Sequence, residues 1–444
     1  MRQLFKVVNT KWSINQCLNC LVFLSFMFVL LSSPASRADE NQGKESQDTV
    51  KIPPKVEPND LYDLILSDPR NRHYLDLSKQ GWISGLGAKT FLRFGGFVQV
   101  NFIRDFQNTG YSFGEFIPAG IPVPTDHTSG VAFDPRATRI TFETRTDTEK
   151  GLVNTFISMD FSGFAQEGSI QPRLRQAYVS WINAKKRQSV LIGQAATTFN
   201  DGDVWPESFD LEGPNSMLYL RQVMVRYSFM MSQSDNWIGS IALEAPQSAI
   251  QYGEGLEKLP DIIFTARWKE KWGHLRFGAL GRWLAAENNA GSGQAESFGW
   301  GLSFSGQALI PYRNDNFQFQ LYGGQGTGRY AQDLGSASLG QDAVYDNISV
   351  TLNSLGTYGG FIAYQHWWMD VLRTNVAGGL VHVTNQEIQE DDALNRSTYV
   401  LVNTLYTPFE RFDVGLEYYY GKRVNKSGEA GHANRLMLAV KYSL

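Results

Sequence analysis

The chain of 444 residues carries 40 basic and 44 acidic side chains, a net charge of −4, and is rich in glycine and aromatic residues. Both cysteines, Cys17 and Cys20, fall within the first forty residues, so disulfide staples are excluded for the remainder. Beyond that point no stretch approaches the roughly 18 apolar residues of a helical membrane span, which excludes helical insertion.

Residues 1–38 read as an export signal. Arg2, Lys6 and Lys11 form a cationic region, Leu21 to Leu31 an apolar run too short to span a bilayer, and Ser36-Arg37-Ala38 a cleavage site. Cleavage after Ala38 leaves 36 basic against 44 acidic residues, a net charge of −8. Both cysteines precede the apolar run, which argues against a lipoprotein anchor. Residues 39–89 form a short N-terminal periplasmic extension, charged, polar and without periodicity as far as Pro58. Asn59 is placed to cap a short helix, LYDLILSD, that Pro69 stops; an ordered turn is the equal alternative.

From Thr90 to Leu444 the pattern is β-structure with unlike faces. Sixteen strands are expected, at 90–107, 136–146, 151–161, 172–183, 188–195, 218–229, 236–245, 260–268, 273–285, 297–308, 315–325, 355–366, 371–384, 396–406, 411–422 and 432–444. Phe298, Trp300, Leu302 and Phe304 alternate with Gly299, Gly301, Ser303 and Ser305, and Leu436, Leu438, Val440 and Tyr442 with Arg435, Met437, Ala439 and Lys441. Most strands reach the length of about 9–11 residues that a tilted membrane strand needs. Connections alternate long and short. The short ones include 147–150, 184–187, 269–272, 367–370 and 408–411; the long ones include 108–135, 196–217, 246–259 and 326–354. Two unrelated patterns therefore predict one fold, an all-β transmembrane antiparallel barrel with both termini in the periplasm. Its apolar face meets lipid, its polar face lines water, and closure removes the sheet edge.

Candidate chemistry lies in the lumen. The third long connection holds Asp201, Asp203, Glu207, Asp210 and Glu212, where sixteen-stranded barrels commonly fold a loop inward to narrow the channel. A solvated outer loop is its bland alternative, and calcium at Asp201 and Asp203 matches no known ligand-loop spacing. On the polar side of the early strands stand Arg93, Arg139, Glu143, Arg145, Arg173, Arg175 and Arg226, with Asp160 among them. Guanidinium is always charged and offers a planar fork, so this ladder suits carboxylates. These arginines are equally suited to pairing with Glu143, Asp160 and loop acids to satisfy a polar wall. Both readings allow an acidic loop against a basic wall, a transverse field that orients a dipolar or anionic solute.

Other motifs carry nothing. GGQGTG (323–328) lacks the Lys and the strand-to-helix setting of a phosphate loop, and the six histidines form no metal-ligand spacing. No GxSxG occurs, and Lys185-Lys186-Arg187 reads as a solvated turn rather than a nucleic-acid patch.

Several segments, in order, resemble the DcaP-like outer-membrane porins: KTFLRFGGFVQV (89–100), FGEFIPAGIPVP (113–124), RATRITFET (136–144), MDFSGF (159–164), RLRQAYV (173–179), GQAATTF (193–199), PESFDLEGP (206–214) and RQVMVRY (221–227). The resemblance implies a trimeric sixteen-stranded porin that takes up small anionic compounds such as dicarboxylates and aromatic acids. Its lumen arginines would be Arg139, Arg173, Arg175 and Arg226, and its inward loop 196–214. Ser158 and Ala196 depart from the acidic residue and tryptophan expected there. Leu444 departs from the usual terminal phenylalanine, and no heptad matches the family's N-terminal coiled coil.

The expectation is thus a passive outer-membrane diffusion channel biased to small organic anions, without cofactor, catalysis or nucleic-acid partner. Its partners are outer-membrane lipids, the assembly machinery and two further copies in a homotrimer joined through an apolar outer face. The competing readings are a barrel enzyme, which needs a convergent catalytic group at the mouth, and a soluble secreted β-protein, which needs no detergent.

Overall fold

Alternation decides which way each strand faces. Along Ala295–Leu309, Phe298, Trp300 and Leu302 are 59%, 45% and 57% exposed, while Gly299, Gly301, Ser303 and Ser305 are buried. In a computed structural model that describes residues 82–84, 90–110, 114–163, 170–183, 185–232, 236–288, 290–311, 314–339 and 341–444, this rule holds around a closed barrel. The export signal, its cleavage site, both cysteines and the extension, apart from 82–84, lie outside the described residues.

The wall consists of β1 (Thr90–Asp105), β2 (Arg139–Thr148), β3 (Gly151–Asp160), β4 (Arg173–Asn183), β5 (Gln188–Ala196), β6 (Arg221–Met230), β7 (Trp237–Glu244), β8 (Asp261–Glu270), β9 (Gly273–Glu287), β10 (Ala295–Leu309), β11 (Asn316–Gln325), β12 (Gly356–Met369), β13 (Leu372–Thr384), β14 (Leu394–Phe409), β15 (Phe412–Asn425) and β16 (Ala430–Ser443). Each pairs antiparallel with the next. The first strand makes the seam: Thr90 to Phe97 pairs with β2, and Phe97 to Asp105 with β16. No wall strand keeps an unpaired edge, the condition for backbone in hydrocarbon. All sixteen expected strands are present.

Hairpin pairing runs farther than expected on one rim, through Thr148↔Gly151 and Glu270↔Gly273, so the turns at 149–150 and 271–272 are tighter than the four-residue connections read from sequence. Aromatic rings gather there. Trp237 and Trp268 stack at 6.1 Å, with Trp272 edge-on at 5.6 Å, as at a membrane–water interface.

The opposite rim carries the loops L1 (106–138), L2 (161–172), L3 (197–220), L4 (245–260), L5 (288–294), L6 (326–355), L7 (385–393) and L8 (426–429). L1, L3 and L6 turn into the barrel. Phe116 and Ile121 of L1 and Val204, Trp205 and Phe209 of L3 are buried with the wall residues Tyr399, Tyr419 and Met437. The interior is therefore not watery throughout, as the alternation of the strands implies. The apolar FIPAGIPVP stretch of L1, aperiodic and unassigned by pattern, supplies part of the filling. Glycines on the wall leave room for it: a Cβ at Gly431 would collide with the Pro122 carbonyl, and one at Gly415 with the Phe209 ring.

Candidate functional site

L3 crosses the interior and is tied to the wall on both sides. At its start, Glu244 of β7 accepts from Thr197 Oγ1 at 2.7 Å and Thr198 N at 2.6 Å. Asp201 Oδ2 lies 2.9 Å from His274 Nε2 and accepts from Ser305 Oγ at 2.6 Å, while Asp203 pairs with Arg267. Trp205 then meets Tyr219 edge-on at 5.3 Å. On the far side, Glu207 receives Arg373 Nε at 2.6 Å and Gln365 at 2.8 Å. Phe209 N donates to Glu417 at 3.0 Å, and its carbonyl accepts from Gln99 at 2.8 Å. Asp210 accepts from Phe116 N of L1 at 3.3 Å, and Glu212 is buried beside it. Asn215 donates to Ser397 at 2.9 Å before the chain reaches β6.

The arginines form three groups rather than one ladder. Glu143 sits between Arg93 (2.6 Å) and Arg145 (3.1 Å). Asp160 accepts both nitrogens of the Arg173 fork, at 2.9 and 2.8 Å, and Arg175 Nη1 at 2.5 Å. A bulge opposite Ser158 and Met159 turns both Arg175 and Gln176 inward. Arg139 pairs across the strands with Asp160 and lies over the Phe97 ring at 5.4 Å. Arg173 also faces Glu115 of L1 at 3.8 Å. Arg226 belongs elsewhere, lining a small polar cavity of about 40 Å³ with Arg267, Arg276, Asp201 and Asp203 beneath the start of L3.

Apart from Arg173 and Glu115 of L1, loop acids and early-strand arginines do not form ion pairs with each other. Asp201, Asp203 and Glu207 are matched by His274, Arg267 and Arg373 of the later strands. The early arginines are matched by Glu143 and Asp160 of their own wall. Burial would raise the Asp201 carboxyl, but His274, Arg276 and Arg267 hold it well below the usual range. Asp210 is pushed up to about 8, by burial first and then by Glu115 and Glu417. Glu212 is raised for the same reason, burial, with Glu115 and Asp210 adding to it. Asp201, Asp203 and His274 bring ligand-type atoms within 4.8 Å of one another, but a cation there must displace Arg267 and Ser305.

Four further residues belong to this lumen: Arg221, Arg267, Arg276 and Arg373. Arg221 stacks over Tyr219 at 5.9 Å, within electrostatic reach of Arg173, Arg175 and Asp160. The alternation of the strands is signal enough to turn Arg267, Arg276 and Arg373 inward, but their loop partners leave no trace in it.

A closed sixteen-stranded wall with lipid-facing aromatics and an inturned third loop defines an outer-membrane β-barrel of porin type. The chain belongs to the DcaP outer membrane protein family, whose model matches residues 82–444. Its fold is similar to that of the outer membrane channel DcaP of Acinetobacter baumannii, at 18% identity and a TM-score of 0.71, over 82% of this chain and 100% of that one. OmpT of Vibrio cholerae is a more distant likeness, at 10% identity and a TM-score of 0.51, over 81% and 99% of the two chains. A search among curated proteins gave no match.

Proposed function

We propose that the barrel is a passive diffusion channel for small organic anions such as dicarboxylates. The crowding of Arg139, Arg173, Arg175 and Arg221 about the single carboxylate of Asp160 carries this reading. A carboxylate solute replaces water at such a wall without meeting a compensating row of acids. One contact at about 4 Å is worth roughly 4 kcal/mol at an effective dielectric of 20, but about 1 kcal/mol in bulk water. A wet lumen lies nearer the weaker value, so several weak stations in series let a solute enter and leave. L3, pinned to opposite walls, sets the size limit. Three copies associate through apolar outer faces, and the 39–89 extension stays in the periplasm once the signal is removed.

Replacing Arg173 and Arg175 together by alanine lowers anion over cation permeability in planar bilayers under a salt gradient. An unchanged reversal potential would overturn the assignment.

A further inference from the structure

L1, L3 and L6 meet inside the barrel, and carboxyl groups make the joints between them. Asp210 of L3 accepts from Phe116 N of L1 at 3.3 Å. Asp333 of L6 accepts from Ala119 N of L1 at 3.1 Å and from Ser397 Oγ of β14 at 2.6 Å. Glu212 of L3 lies beside Ser336 and Gln332 of L6, and Gln332 Nε2 donates to Leu211 O of L3 at 3.5 Å. All three carboxyls are buried, and among the described residues no ion pair joins any of them to a cation.

The groups facing them do not supply the missing charge. Asp210 faces Glu115 of L1, Tyr399 of β14, Glu417 and Tyr419 of β15 and Arg435 of β16; Glu212 faces Glu115, Asp210 and Tyr399. Asp333 faces Arg423, Tyr322 and Tyr399. Arg435 is held bidentate by Asp105, at 2.7 and 3.0 Å, and Arg423 is turned to the main-chain oxygens of Ala119 and Asp392. Acids outnumber cations at this buried junction, and ionisation of several at once is costly there.

We propose that this junction is a proton-operated latch, shut while Asp210, Glu212 and Asp333 hold their protons and loosened when they lose them to solvent. The sign follows from burial. Below the ordinary carboxyl range, shut and loose forms both hold the protons and nothing is lost. Above it the penalty on the shut form grows, and it is complete once the pH has passed about 7 for Asp333 and about 8 for Asp210. The latch rests on the channel reading only for its effect on current.

The test uses the full chain in planar bilayers and in detergent, between pH 5 and pH 9. Conductance, corrected for the bulk solution, should rise with pH. Amide exchange in 115–121, corrected for its intrinsic pH dependence, should speed up in parallel. Each carboxyl whose pKa falls by about one unit on release shifts the loose-to-shut ratio by up to about tenfold. Asp210→Asn with Asp333→Asn should flatten both curves, and Glu212→Gln alone should reduce their slope should the double variant assemble poorly. Exchange that ignores pH in the wild type, or a rise undiminished in the variants, overturns the latch. pH-dependent exchange without current at any pH supports the latch and overturns the channel reading.

Discussion

Glu207 and Arg373 join the two ends of the barrel. L3 enters from the rim of long loops, yet Arg373 is the second residue of β13 from the rim of short turns, and its Nη2 lies 2.5 Å from Glu207 Oε1. Asp413 shares the same guanidinium at 3.2 Å. The loop therefore reaches almost the full depth of the wall before turning back.

Glu207→Gln should weaken this anchor by about 1.5–3 kcal/mol, the range for hydrogen bonds to charged groups. L3 then samples positions nearer the centre of the bore, and single-channel current becomes noisier and lower on average. Traces indistinguishable from wild type would mean that the anchor does not position the loop.

Glu143→Ala should act on stability. The carboxylate is buried between Arg93 and Arg145, and its loss leaves two guanidinium groups facing each other. Removing one partner from a buried ion pair costs about 3–5 kcal/mol. Urea unfolding of the refolded barrel should show a lower midpoint than wild type; equal midpoints would count against a structural role.

Gly415→Val separates loop from wall. The new side chain takes space held by the Phe209 ring, so L3 must shift while the strand pairing of β15 is untouched. Altered conductance with an unchanged heat-dependent gel shift is the expected pair of results. A lost gel shift would show instead that Gly415 serves the barrel itself.

Asp315, in the turn before β11, accepts from Trp367 N at 2.8 Å and Tyr364 Oη at 2.8 Å, with His366 Nδ1 2.9 Å away. Burial opposes its charge, but these bonds bring the carboxyl down to about 2. A lowered value means stability present above the ordinary carboxyl range and lost as the pH falls through about 2. Asp315→Asn should flatten the acid side of the stability curve, followed by circular dichroism. An unaltered acid limb would assign the effect to other carboxylates.

Much of this was readable in the strands and little in the loops, for a physical reason. In β10 and β16 the period of two separates Phe298 from Gly299 and Arg435 from Leu436, and lipid on one side enforces it. The same rule turned Arg93, Arg139, Glu143 and Arg145 inward, whereas Arg175 needed the bulge. It could not choose their partners, because alternation gives the side of a strand and not the height of its neighbour. Arg226 therefore parted from Arg173 and Arg175 to line the small polar cavity under L3, near Glu244. The 114–129 stretch of L1 has no period, and the burial of Phe116 and Ile121 depends on the wall glycines that receive them.

The seam between β1 and β16 bears on how the cylinder is made. Arg435 meets Asp105 across 330 positions of chain, and the pairing of β1 with β16 is the most distant in sequence among the wall strands and the dearest in loop-closure entropy. That cost predicts that the join zips last in assembly. Until then a half-rolled sheet presents two raw margins to the bilayer, and a catalyst of insertion has most to gain by shielding them.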